Sequence, residues 1–237
     1  MLEDPQRTPN SKNDGDNFPH LYSTVNSNKN LINQAQGLVG YWSFDEGRGN
    51  IARDYSGNGN DGTLYNFNFT ATSGWVDGKV GKALSFDGVD DIVSVPNTFP
   101  STNQNKITIV TWYRWKGGSY SGIVSRGWCS SMGWLMHGYY GFGVNDNTGC
   151  SAQYFASFGT LTANIWYFLV GIFDGNKVYA FRDGNLINTR NAPSVNLNIN
   201  NYQIRIGELN PGLIDELRIY NRALSDSEIK ALYEATK

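Results

Sequence analysis

Residues 166–189, WYFLVGIFDGNKVYAFRDGNLINT, contain three apolar runs separated by two tight-turn signals. The first run ends at Asp174-Gly175-Asn176 and the second at Asp183-Gly184. Asp-Gly and Gly-Asn pairs between apolar runs are typical of short hairpin turns, because Gly and Asn adopt the positive φ that those turns need. The stretch therefore predicts three consecutive antiparallel strands.

The same pattern of short apolar runs and turn residues extends in both directions. The run 107–115 (ITIVTWYRW) alternates, with odd-numbered residues on one face of the strand and even-numbered residues on the other. Ser225-Asp226-Ser227-Glu228 is a capping box and predicts one short helix at the C-terminal end. The other strand-like runs are residues 38–44, 83–86, 91–95, 122–125, 134–140, 142–144, 204–207 and 213–220. Short strands with no helices between them predict an all-β fold, an antiparallel two-sheet β-sandwich of the jelly-roll kind.

The N-terminal segment has a different composition. Residues 1–36 contain mostly Asn, Ser, Asp, Lys, Gln and Pro and show no alternation. So few apolar residues cannot offset the entropy lost on ordering the chain. We therefore predict a flexible linker or tail over 1–36 and one jelly-roll domain over 37–237.

Charge and hydropathy exclude two classes of partner. The 237 residues carry 19 basic and 21 acidic side chains, with a formal net charge of −2. A nucleic-acid binder needs a basic face to engage phosphates, so we expect no nucleic-acid partner. No run of 18 apolar residues occurs, and we expect no membrane span in this chain.

Four blocks of sequence resemble a known family. They are GLVGYWSFDEGRGN (37–50), DYSGNGNDGTL (54–64), GKVGKALSFDGVDDIVSV (78–95) and GLIDELRIYNRALSDSEIKALY (212–233). Their order and spacing are similar to those of laminin-G-like domains of the concanavalin A-like jelly-roll superfamily, from about Gly37 to Tyr233. The resemblance implies a two-sheet sandwich, but one fold hosts many functions, so function has to be argued from sites.

The loop from Asp54 to Gly62 is a candidate calcium site. Oxygen-bearing side chains recur at alternate positions, at Asp54, Ser56, Asn58 and Asn60, and Ca²⁺ prefers six to eight hard oxygen ligands. The resemblance adds Asp45 and Asp215, because family members often hold a structural calcium between the first and last strands. The alternative is a Gly- and Asn-rich turn held by its own hydrogen bonds. A second acidic segment, Asp87–Asp91, is either an ion site or a turn between two strands.

The two cysteines, Cys129 and Cys150, flank a segment that has the pattern of a hairpin or strand pair. A disulfide between neighbouring strands is one interpretation, and two reduced, buried cysteines are the other. Exported proteins keep such disulfides, whereas cytosolic proteins seldom do.

An aromatic surplus near the cysteines suggests a ligand surface. Trp42, Trp112 and Trp166 lie in strand patterns and are assigned to the core. A sugar ring has an apolar C–H face and a polar rim, which aromatic rings and neighbouring hydrogen-bonding groups complement. Several of these rings could instead pack between the sheets. The candidate ligand-binding residues are Trp115, Arg126, Trp128, Trp134, Tyr139, Tyr140, Asn145 and Tyr154, with Tyr120, Asp146 and Asn147 nearby.

Catalysis finds little support in the sequence. Related jelly-roll glycoside hydrolases carry E-x-D-x-x-E on one strand, and that motif is absent. Asp215 and Glu216 are adjacent on one strand, so we expect them to face opposite ways. The sequence therefore predicts a non-catalytic carbohydrate-binding module of a secreted or cell-surface protein, with a structural Ca²⁺. The alternatives are a protein-binding adhesion module with an extracellular protein partner and, more distantly, a glycoside hydrolase or polysaccharide lyase.

Overall fold

The fold is described from a computed structural model of the chain. It describes residues 35–70, 72–96, 105–118, 122–127, 133–145, 153–193, 195, 197 and 202–237. The predicted tail lies outside this range except for its last two residues. Trp128, Cys129 and Cys150 also lie outside the described residues, as do Tyr120, Asp146 and Asn147. In the described ranges, no helix is long and apolar enough to cross a membrane.

Two antiparallel sheets build the molecule, as the sequence predicts. Sheet I contains β1 (Leu38–Trp42), β4 (Gly74–Asp77), β5 (Lys82–Asp87), β7 (Ile107–Trp115), β12 (Trp166–Phe173), β13 (Lys177–Arg182), β14 (Asn185–Asn191) and β16 (Pro211–Tyr220). Sheet II contains β2 (Ile51–Ala52), β3 (Gly62–Tyr65), β6 (Ile92–Val95), β8 (Gly122–Arg126), β9 (Trp134–His137), β10 (Gly141–Asn145), β11 (Gln153–Ala156) and β15 (Ile204–Ile206). The C-terminal helix α1 spans Asp226–Thr236.

The strand order is that of a jelly-roll sandwich with crossovers between the sheets. Sheet I runs β14-β13-β12-β7-β16-β5-β4, with β1 paired to β16. Sheet II runs β11-β10-β9-β8-β15-β6-β3-β2. The predicted three-stranded meander is confirmed as β12-β13-β14. Strands β2, β3, β4 and β11 were not anticipated, because they have two to four residues and are too short for a clear alternation.

The main core fills the space between the inner faces of the sheets. Strand β7 confirms the predicted alternation, since Ile107, Ile109 and Tyr113 enter this core whereas Val110 and Trp112 do not. The predicted strand 134–140 ends at His137, and residues 138–140 form a turn into β10. Side chains on alternate positions of both sheets meet here, which is the packing expected of a sandwich.

A second apolar cluster lies on the outer face of sheet I, under the helix. Trp112 and Phe168 pack there against Ile229 and Leu232 of α1. The predicted capping box is confirmed, with the Ser225 hydroxyl accepting from the Glu228 amide and Glu228 accepting from the Ser225 amide. The helix therefore covers the outer face of sheet I, and no helix of the described residues packs on the outer face of sheet II.

Strand β16 joins most of sheet I, because it pairs with β1, β5 and β7. Its pairing with β7 shifts register between Asp215 and Arg218, and Glu216 has a φ of 55° at this bulge. Glu216 forms an ion pair with Arg218 and accepts a hydrogen bond from the Tyr41 hydroxyl. Because of the bulge, the Glu216 side chain has different ion-pair and hydrogen-bond partners from the Asp215 side chain.

Candidate functional site: a groove on the outer face of sheet II

The outer face of sheet II is built from two rows of residues that cross the strands. Because side chains alternate, the residues next to the buried ones in β3, β6, β15, β8 and β9 face outward. One row is Ser94, Arg205, Ser125 and Leu135, which are cross-strand partners in sequence. The other row contains two cross-strand pairs, Tyr65 with Ile92 and Gly122 with His137.

These outward residues line a groove with a volume of about 810 Å³. Gly122 and Ser125 are small, so the middle of the groove is low. Tyr202, Gln203, Glu208 and Leu209 flank both ends of the short strand β15 and also line the groove. The volume falls in the range of small-molecule and oligosaccharide-sized sites, about 300–1,000 Å³.

Exposed aromatic rings stand at both ends of the groove. Tyr65 on β3 is 51% exposed. At the other end, the His137 and Tyr140 rings lie 4.7 Å apart between centroids, and Tyr140 also contacts Tyr139 and Phe155. Tyr139 and Tyr140 remain 63% and 55% exposed, so a large part of each residue lies at the surface.

The turn after β9 fixes the hydrogen-bonding state of His137. Its Nδ1 atom accepts from the amides of Tyr139 at 3.0 Å and Tyr140 at 3.3 Å. A neutral imidazole that accepts at Nδ1 carries its proton on Nε2. Burial lowers the pKa of His137 to about 4, so the ring is neutral at pH 7. His137 therefore supplies a hydrogen-bond donor at the groove.

The charged side chains of the groove are Arg205 and Glu208, which form an ion pair at 3.0 Å. Beside them, Ser94 donates to the Gln203 side-chain oxygen at 2.8 Å. Beneath the groove, the Arg126 Nε atom donates to the Tyr202 carbonyl, and burial lowers the pKa of Arg126 to about 10. The groove thus combines donors, acceptors and apolar surface, which is the combination that a sugar requires.

Three predicted ligand-binding residues are buried, which corrects their assignment to the surface. Trp134 is fully buried in the main core because the alternation of β9 turns it inward together with Met136. Asn145 is also fully buried and accepts from the Gly133 amide at 2.7 Å. Arg126 is 2% exposed and holds the Tyr202 carbonyl. These three side chains are buried and present almost no surface to a ligand.

The other predicted ligand residues divide into two groups. Trp115 and Tyr154 are half-buried and pack against the main core. Tyr139 and Tyr140 lie at the surface beside the groove, where the prediction needs them.

Sequence reasoning missed most of the groove. Tyr65, Ser94, Gln203, Arg205 and His137 were not among the candidates. The alternation of β9 contained one usable signal, because Leu135 and His137 must face outward if Trp134 and Met136 face inward. The remaining residues come from distant segments that only the strand order brings together.

The predicted calcium ligands separate into two places. Asp54 holds its own loop, with Oδ1 accepting from the Tyr41 and Ser56 amides and Oδ2 accepting from the Ser56 hydroxyl and the Asn60 amide. Asn58 donates to the Leu38 carbonyl. These bonds are those expected of a turn held by Asx hydrogen bonds.

Asp45 and Asp215 instead hold the turn between β4 and β5. Asp215 accepts from the Lys79 and Val80 amides through Oδ2, and Asp45 accepts from the Lys82 amide. Asp215 is fully buried, and its Oδ1 has no hydrogen-bond partner among the described residues. Burial, together with the nearby charges of Glu216 and Asp45, raises the pKa of Asp215 to about 8. This orphaned carboxylate oxygen is the kind of ligand atom that Ca²⁺ takes.

The acidic segment after β5 is a turn followed by a strand. Asp87 ends β5, and β6 begins at Ile92. Oxygens of Asp87, Asp90 and Asp91 lie within 4.8 Å of one another, and in the described ranges they are the one acidic or His/Cys cluster this tight. Both Asp91 oxygens are already engaged, by the Ser73 hydroxyl and the Asp87 amide. The cluster is therefore accounted for by hydrogen bonds within the turn.

The low pKa of His137 predicts a pH dependence of stability. An unfolded histidine titrates near 6.5 and the folded one near 4, so the unfolded chain binds the proton first as the pH falls. The native protein should lose stability between pH 6.5 and 4 relative to the His137→Gln variant. Urea unfolding of both proteins across this range measures the difference, and parallel curves would contradict it.

Comparisons with known proteins agree with the architecture. Domain 4 of AbnA, a GH43 extracellular arabinanase from Geobacillus stearothermophilus solved with arabinotriose, aligns at a TM-score of 0.66 and 23% identity, over 84% of this chain and 98% of that one. The Botulinum neurotoxin serotype D binding domain aligns at 0.64 and 14% identity, over 86% of this chain and 52% of its own, so the present chain spans about half its length. Trypanosoma rangeli sialidase, in complex with the inhibitor DANA, aligns at 0.56 and 18% identity, over 83% and 32%. At these identities the likenesses concern the fold alone.

Sequence comparison supplies the family. A search of curated proteins found no match. A laminin G-like family model matches residues 87–230, which run from the end of β5 into helix α1. The chain belongs to the concanavalin A-like lectin/glucanase superfamily.

Proposed function

We propose that the protein is a non-catalytic carbohydrate-binding module of a secreted or cell-surface protein. The observation that carries the proposal is the groove of sheet II, where exposed aromatic rings stand beside a floor of hydrogen-bonding side chains. Tyr65 and Tyr140 offer apolar ring surface, and Arg205, Gln203 and His137 offer polar groups. An amphipathic site of this kind suits the apolar face and polar rim of a sugar.

The relatives support this choice without deciding it. The arabinanase domain, which this chain covers almost completely, was solved with arabinotriose, so a domain of this fold occurs with a bound sugar. The arabinanase is described as extracellular, which favours an extracellular location for this module. The ligand of the present chain follows from its own groove and not from these relatives.

The number of carboxylates in the groove favours sugar binding over cleavage of a glycosidic bond. Most glycoside hydrolases place two carboxyl groups on either side of the scissile bond, about 5–10 Å apart. Among the described residues that line the groove, the one carboxylate is Glu208, and it is paired with Arg205. Asp215 and Glu216 are buried in sheet I, with partners of their own.

A structural Ca²⁺ is part of the proposal. Its ligands would include Asp45 and Asp215, because the buried Oδ1 of Asp215 has no hydrogen-bond partner among the described residues and the Asp45 carboxylate lies near it. A buried carboxylate is costly to keep ionised unless a cation or hydrogen bonds compensate it. The ion would tie β16 to the turn before β5 and so stabilise the sandwich.

A glycan array with the calcium-loaded protein, repeated in EDTA, tests the sugar-binding proposal. We expect retention on a defined class of glycans. The Ser94→Trp variant should lose at least about tenfold in affinity, because a large ring at this position fills the groove. Thr189→Trp on the exposed strand β14 is the matched control and should bind as the native protein does.

A blank array with folded protein would reject the proposal. It would favour the runner-up, an adhesion module, because exposed Tyr rings around a groove also form hot spots for protein partners. If the protein released new reducing ends from a glycan that it binds, the proposal that the module is non-catalytic would be wrong.

Melting curves test the calcium ion. Excess Ca²⁺ should raise the melting temperature above that in EDTA, since a ligand that binds only the native state stabilises it. Asp215→Asn should abolish this difference, whereas Asp77→Asn, on the exposed end of β4, should retain it. Identical melting with and without chelator would reject the site.

A further inference from the structure

The groove is longer than a single sugar ring. Tyr65 and His137 line its two ends, and β6, β15 and β8 lie between their strands. Four inter-strand spacings of about 4.8 Å separate them by about 19 Å. The rings of Tyr65 and His137 therefore lie too far apart to stack on the same sugar, and the third aromatic lining residue, Tyr202, precedes β15 between them.

The floor between the two ends is low and polar. Gly122 and Ser125 from β8 and Ser94 from β6 carry small or absent side chains, and Arg205 on β15 is the long side chain in the middle. Apart from Arg205, which pairs with Glu208, these floor residues have no large side chain that divides the groove, so one extended ligand can lie along it.

We infer that the groove binds an extended oligosaccharide chain laid across the strands, and not a terminal monosaccharide. One sugar unit stacks at Tyr65, another at the His137–Tyr140 pair, and the units between them hydrogen-bond with Ser94, Arg205 and Ser125. The inference rests on the proposed carbohydrate function and adds the length of the ligand. Both ends contribute to affinity. Once a sugar unit is bound at one end, the oligosaccharide chain holds another unit near the other end at a high effective concentration, which favours the second contact.

Calorimetric titrations with chains of increasing length test this inference. The probes are arabinan-, xylan-, cellulose- and mannan-derived oligosaccharides of one to six units. Affinity should rise at least about tenfold between one or two units and the hexasaccharide of the series that binds, which corresponds to about 1.4 kcal/mol. It should then level off once the chain reaches both ends of the groove.

Variants at the two ends supply the decisive comparison. Tyr65→Ala and Tyr140→Ala should each weaken hexasaccharide binding about tenfold, whereas Tyr65→Phe and Tyr140→Phe, which keep the ring, should stay within about twofold. Leu186→Ala is the control, because Leu186 is equally exposed but lies on β14 of the other sheet. A melting curve of each variant confirms that it is folded.

The outcomes separate the inference from the proposed function. If a monosaccharide binds as tightly as the hexasaccharide, or if only one of the two tyrosines affects hexasaccharide binding, the extended-chain inference is wrong although the module binds sugar. If no series binds at any length, the inference is rejected. A positive glycan array would then leave the proposed function standing, and a blank array would remove both.

Discussion

Successive side chains of a strand must point to opposite faces of its sheet, and in this protein that constraint determines both the core and the groove. Each sheet has one face committed to the shared core. Sheet I uses its other face to bind helix α1, through Trp112, Phe168 and Ile229. Sheet II has no helix over its outer face in the described ranges, and its outward residues combine small and polar side chains with the exposed ring of Tyr65. The groove lies on the outer face of sheet II, the face that does not pack into the shared core.

Buried and partly buried polar groups hold the elements on which this arrangement depends. Asp54 organises the loop after β1 through its two oxygens, and Asp215 fixes the turn between β4 and β5. In sheet II, Arg126 and Asn145 bind backbone groups of neighbouring segments. Each of these side chains satisfies backbone donors or acceptors that would otherwise lose their hydrogen bonds to water on burial. These polar residues have structural roles. Several of them were predicted to bind the ligand, but they are buried and do not reach the surface.

Local signals in the sequence were sufficient for the fold but only partly for the site. The hairpins at Asp174 and Asp183 and the capping box at Ser225 depend on neighbouring residues, and all three formed as predicted. The groove depends on cross-strand neighbours such as Ser94 and Arg205, which are far apart in the chain and adjacent only through strand order. Trp134 shows the same limitation of sequence patterns. An aromatic residue in a strand is equally compatible with a sugar site and with a core, and only the sheet face on which it lies distinguishes the two roles.

The central claim is that the outer face of sheet II is the ligand surface, and an NMR titration tests it most directly. Backbone amide shifts are followed as the hexasaccharide of the binding series is added. The account predicts that the shifts are concentrated at Tyr65, Ser94, Ser125, His137 and Arg205. Shifts centred instead on the Asp54–Asp61 loop, on β14 or on helix α1 would contradict it.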